Sequence, residues 1–301
     1  MIIAGIDIGS NATRLTIAES SDLDEYHHPD DMIKKYRFPC RLGDDVFKDG
    51  LISSNKLIEM HSIFSEIEGL LKKYKVKKTN GVATSAFRDA KNGDALFKAL
   101  QEKHPVPFSI ISGGEEAKLM SEGLLRRGLF TDDAGHLHVD IGGGSLELSC
   151  YFDGAFLFQE SLDLGTLRLI ENTESGKLVS DHEDLLKLID GIFDGFDPRE
   201  FPKFKMHGTG GNFKRLGTLR KHSLGESRED ILKRKDIRKM IDLYKPYPGH
   251  ELSEHTPIKK ENAALIMPSL LMIDRILEFW PAKKVKVSKL SLSHVVLDKF
   301  Y

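Results

Sequence analysis

Cysteine is scarce: the 301 residues hold only Cys40 and Cys150, far apart and outside any CxxC spacing. That excludes a disulfide-built scaffold and a thiolate zinc site, and it suits reduced thiols. Long hydrophobic runs are missing too. No stretch approaches the ~20 apolar residues that span a bilayer, and the opening MIIAGIDIGSN has neither a basic leader nor a long apolar core. A cytoplasmic protein is expected. Excess charge of either sign is absent, since 44 Lys+Arg against 46 Asp+Glu leave a formal charge of −2. Nothing here draws the chain to nucleic acid or to an anionic membrane, so an anionic ligand must be held by a local site. The commoner phosphate loops are absent as well: neither GxxxxGK[ST] nor GxGxxG occurs.

What is present is an ordinary globular composition, 40% apolar and 30% charged, in a chain long enough for two domains with real cores. It also contains a repeat. Residues 5–17 read GIDIGSNATRLTI and residues 137–148 read LHVDIGGGSLEL, with Asp7 and Asp140 lying 140 − 7 = 133 positions apart. That spacing is too long for a solenoid and suits two related domains. Apolar residues alternate on both sides of each glycine turn, so each copy reads as strand, turn, strand, with an Asp at the tip. A strand leaves each turn, where a dinucleotide fold would have a helix.

Between the copies, Ser53 or Ser54 caps a helix whose Leu57, Met60, Phe64, Ile67 and Leu71 share a face. It ends in KKYKVKK, read either as a solvated helix end favoured by the dipole or as a patch that steers polyanions. GVATSAFRDAKNGDALFKAL reads as a short strand, a Thr-Ser turn and a helix carrying Leu96, Phe97 and Leu100. FSIIS is a strand, GG a turn and EEAKLMSEGLL a helix; FKMHGTGGNF is a strand with a third glycine turn at residues 208–211. KHSLGESREDILKRKDIRKMIDLYK is expected as a solvated loop and helix with Ile231, Ile237, Met240 and Ile241 as a sparse apolar face, or as a Lys/Arg-lined ligand channel. Alternating strands and helices make the fold α/β. With no long linker, the two domains are expected to meet around a cleft.

The tip DIGGGS offers successive backbone N–H groups that form a nest for phosphate oxygens. A carboxylate beside such a nest repels phosphate unless a divalent cation lies between them, and Mg²⁺ is typically held by one or two carboxylates plus phosphates. Asp140 with Gly142, Gly143, Gly144 and Ser145 therefore suggests a metal-phosphate site, to which Glu147 across the hairpin adds a second carboxylate. Ser112 to Glu115 forms an S-x-x-E capping box, which gives Glu115 a structural task and leaves Glu116 to point elsewhere. His27-His28 and His136-x-His138 lack a third donor at metal-ligand spacing and read as solvated or core histidines; Trp280 reads as packing.

The ordered stretches GIDIGSNATRL, RLGDDVFKDGLIS, VATSAFRDAKNGDAL, ISGGEEAKL, HVDIGGGSLELS and LGTLRL resemble the exopolyphosphatase and guanosine pentaphosphate phosphohydrolase (Ppx/GppA) family, densely to about residue 170 and thinly after it. This lies within the actin, sugar kinase and Hsp70 superfamily. The resemblance implies two ribonuclease H-like (actin-like ATPase) domains, residues 1–117 with about 289–301 and residues 118–288. It implies a hydrolase that releases the terminal phosphate of polyphosphate, or alternatively converts guanosine pentaphosphate, with Mg²⁺ or another divalent cation. Phosphate contacts are implied for Asp7, Gly9, Ser10, Asn11, Arg14, Thr84, Gly142, Gly143, Gly144 and Ser145, and the cation for Asp140 and Glu147. Arg88 is implied to bind a substrate phosphate, or else pairs with Asp89 or Asp94, and Glu116 to position the attacking water. Gly210 and Gly211 stand where the family has a further ligand-facing turn, in different wording.

The longer relatives carry extra helical domains, so the chain resembles the short, two-domain members. It departs from the family at Asn262, Ala263, Ala264 and Ser269 and in its closing KLSLSHVVL, which bears on whatever binds beyond the phosphates. A homodimer is compatible with the resemblance. A non-hydrolytic phosphate or nucleotide sensor is a second class of reading, disfavoured by Glu116. A kinase fits poorly, for want of a general-base Asp and an adenosine pocket.

Overall fold

The two copies of the repeat fold as antiparallel hairpins, each at the centre of its own sheet. A computed structural model describes residues 1–19, 32–171, 187, 190–191 and 201–300; His27 and His28 lie outside them. The chain forms two units, Met1–Leu129 with Leu290–Tyr301, and Phe130–Lys289.

In the first unit, β1 (Ile2–Ile8), β2 (Ala12–Glu19), β3 (Met32–Pro39), β4 (Lys78–Ala83) and β5 (Ser109–Ile110) lie in the order β3-β2-β1-β4-β5. β1 is antiparallel to β2 and parallel to β4. Its alternation sends Ala4, Ile6 and Ile8 into a core with Met60, Phe64 and Ile67, while Ile3 packs on the other face with Ala18 and Leu297. β1 is thus covered on both faces, as a central strand requires. After α1 (Leu42–Asp49), helix α2 (Ser54–Lys73) starts where its cap residue directs: Ser53 Oγ accepts from Lys56 N at 3.3 Å.

In the second unit, β6 (Gly135–Ile141), β7 (Leu146–Phe152), β8 (Ala155–Leu162), β9 (Phe204–Thr209), β10 (Ile231–Lys233) and β11 (Lys284–Val287) lie in the order β10-β11-β9-β6-β7-β8. Apart from β10 this is the first unit's order: hairpin partners antiparallel, crossover partners parallel. The fold is therefore α/β with two units of the ribonuclease H-like topology.

Four local expectations change. SAFRD is a short helix, α3 (Ser85–Asp89), because Thr84 O accepts from both Phe87 N and Arg88 N; α4 (Gly93–Lys103) follows as expected. The glycines at 113–114 open α5 (Gly113–Leu125), capped by Ser112. The glycines at 210–211 likewise open a helix; α6 (Thr166–Glu171) precedes it, and α7 (Gly210–Leu224) starts directly at the end of β9. The charged stretch after α7 holds β10 as well as α8 (Arg234–Tyr244), and it is more deeply rooted than its composition suggests, since Leu232, Ile237 and Met240 have no exposure. α9 (Ile266–Phe279) packs against α8 and α7. Trp280 is buried and donates from Nε1 to Lys205 O at 3.0 Å. No helix among the described residues is long and apolar enough to cross a membrane.

Candidate functional site

The tip of the first hairpin is a tight turn in which Gly9 N donates to Ala12 O at 3.2 Å. The tip of the second is built the same way, Gly142 N donating to Ser145 O at 2.9 Å. In each unit the Asp sits two residues before that glycine, near the end of the central strand.

In the second unit, Asp140 lies in a cross-strand row. The register pairs it with Glu147 on β7 and with Thr209 on β9, and pairs Glu147 with Ser161 on β8. Residues in one row share a face of the sheet. Thr209 Oγ1 donates to Asp140 Oδ2 at 2.6 Å and Ser161 Oγ donates to Glu147 Oε1 at 3.3 Å. Glu147 is 2% exposed. Like charges directly opposite one another destabilise a sheet, and a cation between them relieves that.

The glycine turn is braced from behind. Gly142 O accepts from Thr166 N at 3.1 Å and from Thr166 Oγ1 at 3.2 Å, Gly143 O from Leu167 N at 2.8 Å, and Gly144 O from Arg168 Nε at 2.9 Å. Asn212 Nδ2 donates to Ile141 O at 2.6 Å. In a trans peptide the N–H points opposite to the C=O, so with these carbonyls turned toward α6 the N–H groups of Gly143, Gly144 and Ser145 face the other way, as a nest requires. Gly165 makes the approach possible, since a Cβ there would stand 2.1 Å from Gly143 O. Gly165, Thr166, Arg168 and Ser161 had no assigned role from sequence; the string LGTLRL was the available signal for the first three, and Ser161 had none. Gly210 stands against Asp140, and Gly211 follows it in the first turn of α7.

At the equivalent place in the first unit the chemistry is opposite. The register pairs Asp7 with Arg14, and Arg14 Nη1 donates to Asp7 Oδ2 at 2.8 Å. Burial raises the Asp7 carboxyl, and the Arg14 guanidinium opposes that shift. Ser10 Oγ lies 2.7 Å from Ser85 Oγ, and Thr84 N donates to Ile8 O at 3.1 Å. Ser10 O and Asn11 O accept from Gly43 N and Arg41 N at 2.9 and 3.2 Å, which turns the following N–H groups away from α1.

Also in the first unit, α3 and α5 bring Arg88 and Glu116 together. Arg88 Nη1 donates to Ile111 O at 3.2 Å and lies 3.9 Å from Glu116 Oε2, while its Nε lies 3.4 Å from Asp89 Oδ1. The capping box is formed: Glu115 N donates to Ser112 Oγ at 3.1 Å and Ser112 N to Glu115 Oε2 at 2.8 Å. The bond from Ser112 N, and a second from Ser112 Oγ to Glu115 Oε2 at 2.9 Å, hold the Glu115 carboxyl below its usual range. Glu115 is thereby committed to the helix start, and Glu116 points toward Arg88.

Asp140 and Glu147 offer hard oxygen donors, which fit Mg²⁺ completed by phosphate oxygens. Among the described residues no group of three His, Cys, Asp or Glu could hold a metal. His136, His138 and His207 are buried, and burial pushes His138 and His207 down to about 3.

The Ppx/GppA phosphatase family profile matches residues 21–300. Exopolyphosphatase 2 of Mycobacterium tuberculosis is 29% identical over 180 residues, covering 56% of this chain and 54% of that protein. A bifunctional 3-dehydroquinate synthase/phosphatase of Fusobacterium nucleatum is 30% identical over 173 residues, 56% of this chain and 26% of that one. The chain thus spans about half the length, or less, of these curated relatives. Among solved structures, an exopolyphosphatase from Cytophaga hutchinsonii superposes with a TM-score of 0.84 at 20% identity, covering 100% of this chain and 97% of that one. The Aquifex aeolicus member of the Ppx/GppA family superposes with 0.77 at 23% identity, with the same coverage. At these identities the two superpositions establish the fold.

Proposed function

The chain belongs to the Ppx/GppA phosphatase family, and from that premise we propose that it hydrolyses phosphoanhydrides, releasing the terminal phosphate of inorganic polyphosphate with Mg²⁺ or a similar hard cation. The observation that carries this reading is the cross-strand pair Asp140 and Glu147 beside a glycine turn whose N–H groups face outward. Two carboxylates next to an anion nest make sense when a cation and phosphate oxygens share the space. The cation, when bound there, neutralises charge on the transferring phosphoryl group.

The remaining work belongs to the chain's own groups. Each tip offers backbone N–H groups to phosphate oxygens, Arg88 spreads its charge over phosphoryl oxygens bidentately, and Glu116 orients the attacking water. In a loose phosphoryl-transfer transition state, positioning and charge neutralisation supply most of the rate. Arg88 is prepared for this: the Ile111 carbonyl fixes its Nη1, and its neighbour Glu116 sits in the first turn of α5.

The test is phosphate release from short and long polyphosphates and from guanosine pentaphosphate, with Mg²⁺ and with EDTA. Metal-dependent release that Glu116→Gln lowers by roughly 10²–10⁴-fold while polyphosphate still binds supports the hydrolase, and the substrate panel ranks polyphosphate against the nucleotide. Binding of polyphosphate with no turnover of any substrate would make the protein a phosphate sensor and remove Glu116 from its role.

A further inference from the structure

Thr209 and His138 have no task in the reading above, yet both are fully buried and linked to Asp140. Thr209 Oγ1 lies 2.6 Å from Asp140 Oδ2 and 2.9 Å from His138 Nε2. The sheet puts them there. Asp140 pairs with Thr209 across β6 and β9, and His138, two residues back on β6, shares the face of Asp140.

Thr209 also occupies the N-cap position of α7. A threonine there ordinarily accepts from an N–H in the first turn, but this one makes no cap hydrogen bond. Its hydroxyl is committed to Asp140. A hydroxyl has one proton. An ionised carboxylate only accepts, so Thr209 gives its proton to Asp140 and must accept from His138. His138 then carries its proton on Nε2 and leaves Nδ1 bare. Nδ1 is indeed buried without a hydrogen-bond partner, which is less costly for a lone pair than for an N–H. On its other side Asp140 meets Gly210, where a Cβ would stand 2.5 Å from Oδ1. One oxygen is gripped by a hydroxyl and the other lies in a notch that only glycine leaves open.

We propose that His138 and Thr209 are positioning residues that hold the Asp140 carboxylate in the orientation its cation requires, through a one-way chain from His138 Nε2–H to Thr209 Oγ1–H to Asp140 Oδ2. The proposal rests on the cation reading of Asp140 and Glu147 given above. It assigns to this chain a hydrogen-bonded support of the kind that orients metal ligands elsewhere, where loss of such a partner costs about 10–100-fold in metal affinity or activity.

The experiment is a Mn²⁺ titration of the whole protein, reading free Mn²⁺ by electron paramagnetic resonance, with the metal-free melting temperature recorded beside it. Thr209→Val, nearly isosteric, is expected to bind Mn²⁺ about 10–100-fold more weakly and to melt somewhat lower without metal because it leaves the His138 Nε2–H unpaired, whereas Thr209→Ser keeps both bonds and binds like the wild type. His138→Gln, which places an N–H where Nε2 stood, retains binding that His138→Leu loses. The His138 pair tests the same chain should Thr209→Val fail to fold. Wild-type affinity in folded Thr209→Val, or equal losses in His138→Gln and His138→Leu, overturns the proposal. A wild type that binds no Mn²⁺ overturns the cation reading itself and this proposal with it, so the two failures are distinct.

Discussion

Gly210 combines a φ of +85° with a missing Cβ that would otherwise lie 2.5 Å from the Asp140 carboxylate. Gly210→Ala therefore meets two penalties, a left-handed backbone and a clash with the carboxylate. We expect a loss of about 1–3 kcal/mol in stability, measured by urea unfolding, together with weaker Mn²⁺ binding as Asp140 is displaced. A melting curve and a Mn²⁺ titration that both match the wild type would remove Gly210 from the site. Sequence alone marked the glycine and left its purpose open, because the reason is a neighbour 70 positions away in the chain. Glu115 and Glu116 were separable from sequence for the opposite reason: a capping box is a local pattern, with donor and acceptor three residues apart. The brace behind DIGGGS was not legible, since it joins Gly142 to Thr166 and Ile141 to Asn212, contacts that no periodicity announces.

Among the elements, α7 and α8 are tied together by a buried ion pair. Arg220 Nε donates to Asp236 Oδ2 at 2.6 Å, and the same guanidinium donates to Arg228 O at 2.8 Å. The two side chains are 1% and 3% exposed. Asp236→Ala leaves the buried guanidinium only the partly exposed Glu226, 3.0 Å from its Nη2, as an anionic partner, so the cost in a denaturant titration should fall below the about 3–5 kcal/mol of a fully uncompensated buried charge; a loss well under 1 kcal/mol would show that the pair does not fix these two helices. β10 escaped the sequence reading because three residues between charged neighbours show no period, and α3 because five residues after a Thr-Ser pair read equally well as a turn. The histidines of β6 and β9 make a pH prediction. His207 faces His136, His138, Lys205 and Lys286, with Asp132 bonded to His136. Burial first, then the positive charge of neighbouring groups, holds His207 down to about 3. Its folded value lies below its unfolded one near 6.5, so the unfolded chain takes up the proton first: stability is intact above pH 6.5 and falls as the pH drops toward 3. The slope is about 1.4 kcal/mol per pH unit for one such group. His207→Gln should make the fall in melting temperature between pH 6.5 and 4 shallower, with His138 supplying part of the slope that remains, and an unchanged pH profile would count against a neutral buried His207.

At the scale of the whole molecule, the chain uses one backbone design twice and gives it opposite charge. Seven residues beyond Asp7 stands Arg14, and seven beyond Asp140 stands Glu147; the register carries each onto its aspartate's cross-strand partner position. The offset is visible in the sequence, but its meaning depends on strand pairing, which decides that residue seven lies opposite the Asp and on the same face. Asp7 is already neutralised by a guanidinium at 2.8 Å, whereas Asp140 faces a second carboxylate. On the cation reading proposed above, a repeat with two equal tips would bind two ions, and this asymmetry leaves room for one. Mn²⁺ titration of the wild type should therefore saturate at a single ion per chain. Asp140→Asn should abolish that binding, and Asp7→Asn should leave it in place, because the carboxylate it removes serves Arg14. Freed from Asp7, the guanidinium of Arg14 becomes available to phosphate, so Asp7→Asn is expected to tighten binding of a polyanion such as tripolyphosphate in the absence of metal. Two Mn²⁺ ions per chain, or loss of the single ion in Asp7→Asn, would mean that the two tips are alike in function as well as in backbone.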